Sequence, residues 1–222
     1  MEALILSLQL AAVTTVILLL GGLPLAWWLR SCPGWLRVPL EALIALPVVL
    51  PPSVLGFYLL IALAPDGPVG RLSGLWGGEG LAFTFTGLVL GSVVYSLPFV
   101  VQPLLAGFSQ TGPAPLQNAA ALGAGPVDRF LRVVLPGNRR AIITAGVLGF
   151  AHTLGEFGVV LMIGGNIPGR TRVVSIAIYD HVEALEYGEA HQLSLILLGL
   201  SFAVLLLVAM LNRTTVTAGR GL

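Results

Sequence analysis

The chain has 222 residues, of which 56% are hydrophobic and 9% are charged, and its mean hydropathy is +0.96. Soluble domains carry about 25% charged residues, so this composition identifies an integral membrane protein. The net charge of +1 without a basic tract gives no sign of a nucleic-acid partner, and the single Cys32 excludes an internal disulfide and a cysteine-rich metal site.

Five stretches are apolar and long enough to cross a membrane, which takes about 20 largely apolar residues. We therefore expect an all-α integral membrane protein, with residues 1–222 forming a single transmembrane domain and a loop at 109–138 between the third and fourth spans. Glu2 precedes the first stretch, where a secretory signal carries basic residues, so we interpret that stretch as a retained helix. The predicted spans are 3–29, 39–64, 81–108, 139–163 and 190–211.

Basic residues are concentrated on one side of this predicted arrangement. The segments 30–38 and 109–140 and the tail, with Arg213 and Arg220, hold eight of the eleven arginines. Because cytoplasmic loops carry an excess of basic residues, we expect the N-terminus outside and the C-terminus inside. The acidic residues expected outside are Asp66, Glu79, Asp180, Glu183, Glu186 and Glu189.

Three prolines interrupt the second predicted span. Pro47, Pro51 and Pro52 each remove a backbone hydrogen bond and kink a helix. In lipid, a broken backbone is tolerated only where protein or a cavity satisfies it. Pro51 and Pro52 are therefore candidates for lining a pathway, with a simple packing kink as the alternative.

Residues 117–136 interrupt the apolar pattern between the third and fourth spans. Alanine-rich Gln117 to Gly123 favours a helix, and Gly125-Pro126 predicts the start of a second one. We expect two short helices joined by a glycine elbow, with an amphipathic loop lying on the membrane as the alternative. Helical spacing predicts one apolar stripe on the second helix, formed by Val127, Phe130, Leu131 and Val134.

This stretch resembles the EAA loop of the permeases of binding-protein-dependent ABC importers. That motif has Glu-Ala-Ala, three residues, glycine, nine residues, an aliphatic residue, one further residue and Leu-Pro, and Gly123, Val133 and Leu135-Pro136 lie in register here. The resemblance implies a coupling helix that docks into a groove of an ATPase subunit. A neutral amide replaces the leading glutamate at Gln117. The implied coupling residues are Gln117, Ala119, Leu122, Gly123, Ala124 and Pro126.

Glu156 lies inside the fourth predicted span, where an ionisable residue indicates function by default. Counting about 1.5 Å per residue from Arg140 places it about 24 Å along the helix, near the outer interface. We predict a gate or packing role for Glu156 with Phe157, and the alternative is a structural glutamate paired with backbone or arginine. His152 is expected to be structural, because one histidine makes no metal site.

Residues 173–189 are too polar to span a membrane. Ile178, Val182 and Leu185 fall on one helical face, which predicts a short helix on or dipping into the outer surface, and Gly188 is placed to end it. Arg170 and Arg172 lie just before it and would draw an oxyanion inward by their field, with ordinary arginines at a membrane rim as the alternative.

The proline-rich stretch 45–58 and the stretch 153–172 resemble molybdate-type permeases, and the likeness covers most of residues 5–211. It implies the fold of a type I ABC importer permease. It further implies a homodimer that forms the pathway, an ABC ATPase subunit on the cytoplasmic side and an extracytoplasmic molybdate-binding protein. We therefore expect the permease subunit of an ATP-driven molybdate importer in the inner membrane.

The sequence also indicates that a different subunit uses the ATP. The chain contains no lysine, so it lacks a P-loop, and we expect a partner ATPase to use the ATP while this chain binds no cofactor and is no enzyme. Tungstate and sulfate remain alternative substrates, because both are tetrahedral dianions like molybdate. A stand-alone secondary anion transporter with its site at Glu156 is the alternative from another class.

Overall fold

Helices make up all the regular structure in the part of the chain that the computed structural model describes, residues 1–74 and 80–213. Two of the charges assigned above, Glu79 and Arg220, lie outside the described residues. The helices are α1 (Glu2–Arg30), α2 (Gly34–Val49), α3 (Pro52–Leu63), α4 (Pro68–Gly74), α5 (Phe85–Gln110), α6 (Pro113–Ala121), α7 (Pro126–Arg129), a π-helical turn (Phe130–Val134), α8 (Leu135–Gly137), α9 (Arg139–Leu154), α10 (Gly158–Gly164), α11 (Val174–Glu183) and α12 (Tyr187–Arg213).

Four segments are long and apolar enough to cross a membrane, and a fifth is added when the bent pair α9 and α10 counts as one span. This confirms the all-α membrane fold with about five spans. α1 and α12 agree closely with the first and last predicted spans, because their apolar sequences are uninterrupted. α5 begins at Phe85, later than predicted, because the Thr84 hydroxyl accepts a hydrogen bond from the Gly87 amide at 3.0 Å and caps the helix.

The second predicted span, 39–64, is two helices instead of one kinked helix. α2 ends at Val49 and α3 begins at Pro52. Pro51 and Pro52 have no amide hydrogen, so the carbonyls four residues earlier lose their donors and the helix ends. The segment that qualifies as a span in this region is Pro52–Gly74.

The fourth predicted span, 139–163, is also broken. α9 ends at Leu154, α10 begins at Gly158, and the two helix axes meet at 60°. No proline lies at this break, but Gly155 and Gly158 flank it, and glycine disfavours a continuing helix.

α11 confirms the short helix predicted within 173–189, but Gly188 does not end it. Gly188 lies inside α12, and α11 ends five residues before it, at Glu183. The chain turns at Leu185, which has φ +62°, and the Glu186 amide there donates to the His181 carbonyl at 2.8 Å. The predicted apolar face is not buried as a unit, since Val182 and Leu185 are both exposed.

Two apolar clusters form the core, one at each end of the bundle. The loop-side cluster lies next to the segment between α5 and α9, and the far-side cluster lies at the opposite end. The loop-side cluster contains Leu18, Ala26, Leu29, Val100, Val101, Leu104, Leu105, Phe108, Val134 and Ala145. The far-side cluster contains Leu10, Leu63, Leu88, Val89, Val159, Val160, Ile163, Val173 and Ile176.

Buried hydroxyl groups lie between these clusters. Thr14 follows Leu10 of the far-side cluster and precedes Leu18 of the loop-side cluster, and Ser92 and Ser96 occupy the same interval on α5. The Ser96 hydroxyl lies 2.9 Å from that of Thr153 on α9. We call these four residues, Thr14, Ser92, Ser96 and Thr153, the hydroxyl layer.

α3 and α10 pack through glycines. A Cβ atom added to Gly56 would lie 2.7 Å from the Cβ atom of Met162, and one added to Gly158 would lie 2.6 Å from that of Pro52. The glycine backbone of each helix lies so close to a Cβ atom of the other that any larger residue at Gly56 or Gly158 forces the two helices apart.

We predict that Gly56→Ala lowers the free energy of unfolding by about 1–3 kcal/mol, because the added methyl group overlaps Met162. Gly21→Ala is the matched control, since Gly21 lies on α1 with no atom within 4 Å of an added Cβ. The melting temperature of each detergent-purified variant measures the effect. Equal melting temperatures for Gly56→Ala and the wild type would show that α3 and α10 are not tightly packed.

Candidate functional site

The predicted glycine elbow is confirmed, and it is a helix C-cap. Gly123 has φ +85°, its amide donates to the Ala120 carbonyl at 2.9 Å, and the Ala124 amide donates to the Ala119 carbonyl at 3.0 Å. This is the Schellman arrangement, which ends a helix with a left-handed residue that is usually glycine. Pro126 then starts α7 at the position that proline favours.

The six coupling candidates lie together around this elbow. Gln117, Leu122, Gly123 and Pro126 are exposed, Ala119 and Ala124 are half-exposed, and no atom lies within 4 Å of a Cβ atom added to Gly123. The Leu122 side chain is 88% exposed. A large exposed apolar side chain among small, accessible residues is typical of a contact site for another protein.

The predicted apolar stripe after the elbow is wrong as a single face. Phe130 and Val134 face the bundle, whereas Val127 and Leu131 are 69% and 53% exposed. The reason is the π-helical turn, which contains more residues per turn than an α-helix and shifts the positions after Arg129. Val127 and Leu131 therefore extend the exposed apolar surface that begins at Leu122, and the periodicity of the sequence gave no sign of this.

The two helix breaks meet in space. Pro52, at the start of α3, lies against Gly158, at the start of α10. The structure thus brings the candidates Pro51 and Pro52 to the same region as Glu156 and Phe157. Both prolines are exposed at the surface of the chain, and Phe157 is half-buried with its ring 5.1 Å from that of Tyr179.

Glu156 is held by the backbone around the break. Its side chain is 7% exposed, and Oε1 accepts a hydrogen bond from the Val159 amide in the first turn of α10 at 2.8 Å. The Ser175 hydroxyl on α11 donates to the Glu156 carbonyl. These contacts agree with the alternative of a structural glutamate paired with backbone, and they join α10 to α11 across the break.

His152 belongs to a polar and aromatic group between α5 and α9. Its Nδ1 lies 2.9 Å from the Ser96 hydroxyl, and its ring stacks on Phe99 at 3.8 Å between centroids. Tyr95 lies on another side of the ring at 4.9 Å. These contacts match the predicted structural role.

Arg170 and Arg172, which precede α11, have different surroundings. Arg172 forms an ion pair with Asp180 at 3.4 Å, and Asn166 bonds to both residues. Arg170 is exposed. The Asp180 carboxylate offsets the charge of Arg172, so the predicted attraction of oxyanions falls mainly to Arg170. Within the described ranges, no group of three or more histidine, cysteine, aspartate or glutamate residues is arranged to hold a metal ion.

A bundle of apolar spans, two helix breaks in contact and an exposed helix–elbow–helix at one end define a membrane-embedded transport subunit. The chain belongs to the family of binding-protein-dependent transport system inner membrane components, which matches residues 10–216. This confirms the resemblance to the importer permeases and places the chain in the inner membrane.

Relatives support this assignment along almost the whole chain. The molybdenum transport system permease protein ModB of Azotobacter vinelandii is 55% identical over 92% of this chain and 91% of its own length. ModB of Escherichia coli K12 is 33% identical over 93% and 90%. A crystal structure of a bacterial ABC transporter that imports alginate shares the fold, with a TM-score of 0.78 and 17% identity over 96% of this chain and 79% of that chain.

We predict that Glu156→Ala lowers the free energy of unfolding by about 1–3 kcal/mol, because the Val159 amide loses its acceptor in a buried site. Glu156→Gln keeps an oxygen acceptor and should retain most of the stability. Melting temperatures of the purified variants, measured beside transport activity, separate the two roles of Glu156. Loss of transport in the stable Gln variant would show that the carboxylate charge acts in gating and not only in capping.

Proposed function

We propose that this chain is the membrane-spanning subunit of an ATP-driven ABC importer that carries molybdate across the inner membrane. The observation that carries this proposal is the 55% identity to a molybdenum transport permease over 92% of the chain. The chain supplies the pathway and its movement. ATP is bound and hydrolysed by a separate ATPase subunit, and this chain holds no cofactor of its own.

The ATPase docks at the elbow. The exposed side chains of Leu122, Val127 and Leu131 offer an apolar contact area, and the small residues around Gly123 allow a partner surface to approach the backbone. Closure of two ATPase subunits then moves the elbow, and the spanning helices open alternately to each side. Gln117, Ala119, Ala124 and Pro126 border the same contact.

The surface with the two helix breaks faces a second copy of the chain. Pro51, Pro52 and Gly155 are exposed there, and interrupted backbone inside a bilayer is unstable against lipid. Protein or a water-filled pathway must therefore cover this surface. A homodimer that encloses the pathway along it supplies both, and it places Glu156 and Phe157 beside the route of the anion.

The charges set the orientation of the subunit. Arg30 lies near the elbow segment, by which we mean residues 113–137 around Gly123, and its guanidinium donates to the Thr111 carbonyl. Arg139 and Arg140 begin α9 just after that segment. This arginine-rich end faces the cytoplasm, so the N-terminus is outside and the C-terminus inside. An extracytoplasmic molybdate-binding protein docks at the opposite end, near Arg170.

Transport measurements test the substrate and the need for a motor together. Proteoliposomes containing this chain with its ATPase and binding protein should take up radiolabelled molybdate only when ATP reaches the ATPase. Excess unlabelled molybdate should abolish uptake of the label, whereas sulfate at the same concentration should not. Uptake of labelled sulfate but not of molybdate would overturn the substrate, and gradient-driven uptake by the chain alone would favour a secondary transporter.

Crosslinking tests the proposed dimer face. The only native cysteine, Cys32, is first replaced by serine, and Ser53→Cys then places a thiol on the exposed first turn of α3. A short thiol crosslinker should convert most of this variant to a covalent dimer in membranes. Leu20→Cys is the control, since Leu20 is 71% exposed on the unbroken helix α1 and should give no dimer. The reverse pattern would place the interface on α1.

A further inference from the structure

The elbow segment is attached to the bundle at few points. Among residues 113–137, Val134 is the one fully buried residue, and Leu116, Phe130 and Leu135 pack half-buried on the loop-side cluster. α6 and α7 have no buried residue. A force applied at the elbow therefore enters the bundle through the junction around Phe130 and Val134.

Three aromatic rings meet at this junction, each from a different part of the chain. Phe130 of the π-helical turn lies 5.6 Å from Trp27 of α1 and 6.2 Å from Phe108 of α5, measured between ring centroids. Trp27 and Phe108 are 6.0 Å apart, with their planes at 85°. These separations fall in the attractive range for aromatic pairs. We call Trp27, Phe108 and Phe130 the aromatic triad.

Polar contacts close the base of the same segment. The Arg30 guanidinium lies 4.9 Å from the Trp27 ring centroid and donates to the Thr111 carbonyl at 2.6 Å. At the other end, the Asn138 amide group donates to the Thr111 hydroxyl at 2.8 Å and to the Val134 carbonyl at 2.9 Å. The two ends of the segment are thus fixed to each other and to α1. A movement of α6 and α7 is therefore passed on to the bundle and is not lost in flexible ends.

The junction is built on a π-helical turn, a rare feature that is frequent at functional sites. The Leu135 amide donates to the Phe130 carbonyl, five residues back, which leaves one residue more in this turn than an α-helix would hold. Conversion to α-helix would rotate Phe130 relative to Val134, because an α-helix turns further per residue than a π-helical turn. Phe130 would then leave its place between Trp27 and Phe108.

We propose that the aromatic triad, seated on the π-helical turn, is the joint that transmits ATPase-driven movement of α6 and α7 to α1 and α5. This inference rests on the proposed function, in which an ATPase docks at the elbow. The triad residues act as positioning residues, since they touch neither the transported anion nor ATP. Docking of the ATPase, which uses the exposed side of the same segment, does not depend on them.

Phe130→Leu and Trp27→Leu test the joint in proteoliposomes that contain the chain, the ATPase and the binding protein. Each variant keeps an apolar side chain but loses ring contacts. Both should retain the ATPase subunit and hydrolyse ATP, while molybdate uptake per ATP falls about tenfold, within the range of coupling between linked sites. Trp28→Leu is the matched control, because Trp28 is the next residue on α1, is 50% exposed and should leave uptake per ATP unchanged.

Rescue separates transmission from simple folding. Phe130→Tyr and Trp27→Phe keep an aromatic ring and should keep uptake per ATP near that of the wild type. If the triad were purely structural, the leucine variants would have a lower melting temperature but unchanged uptake per ATP in the folded fraction. That result, or wild-type coupling in Phe130→Leu, would overturn the triad while the proposed function stands. Wild-type chain that neither binds an ATPase nor supports ATP-driven uptake would instead overturn the proposed function, and the joint with it.

Discussion

The hydrocarbon core of a bilayer offers a peptide group no hydrogen-bond partner, and the arrangement of this chain follows from that constraint. The helical chain is interrupted between α2 and α3 and between α9 and α10, and the two interruptions lie at the contact between Pro52 and Gly158. One of them is stabilised from within the chain, since Glu156 accepts from the amide of Val159 and Ser175 donates to the carbonyl of Glu156. The surface that carries both breaks is therefore the one that lipid covers least readily, which is why the proposed dimer face lies there.

The elbow lies outside the apolar spans, and its backbone meets a different constraint. There the backbone must leave a helix, expose a small surface and return, all within a few residues. The left-handed conformation of Gly123 lets its own amide and that of Ala124 donate to the last carbonyls of α6, and the fixed φ of Pro126 suits the start of α7. The spacing of the EAA motif thus has a geometric meaning, because its glycine sits at the one position where a side chain would strain the backbone.

Much of this fold could be predicted from the sequence where the signal is local. Uninterrupted apolar length located α1 and α12, and glycine and proline located the elbow. The break between α9 and α10 escaped prediction because no proline marks it and apolar stretches continue on both sides of it. The capping role of Glu156 was predictable in kind, since its acceptor bond reaches only three residues ahead to Val159. The π-helical turn was not predictable, because the apolar spacing at 127–134 fits an ordinary α-helix equally well.

The site itself was predicted unevenly. The coupling positions around Gly123 follow from a motif with two separated anchors, and the structure gathers them on one exposed surface. Their role in docking remains a prediction. The contacts of Phe130 with Trp27 and Phe108 join residues about 20 to 100 positions apart in sequence, and no pattern in a single sequence reveals such tertiary pairings.

The hydroxyl layer gives the bundle an internal plane of a different character from the rest of the core. Thr14 and Ser92 are fully buried, and their hydroxyl oxygens have no hydrogen-bond partner among the described residues, while Ser96 and Thr153 share one bond. α1 and α5 run through this plane from one cluster to the other, so it does not divide the bundle into separate halves. A buried hydroxyl without a hydrogen-bond partner costs about 1–3 kcal/mol, so Thr14 and Ser92 lower the stability of the bundle at the level where its two clusters meet.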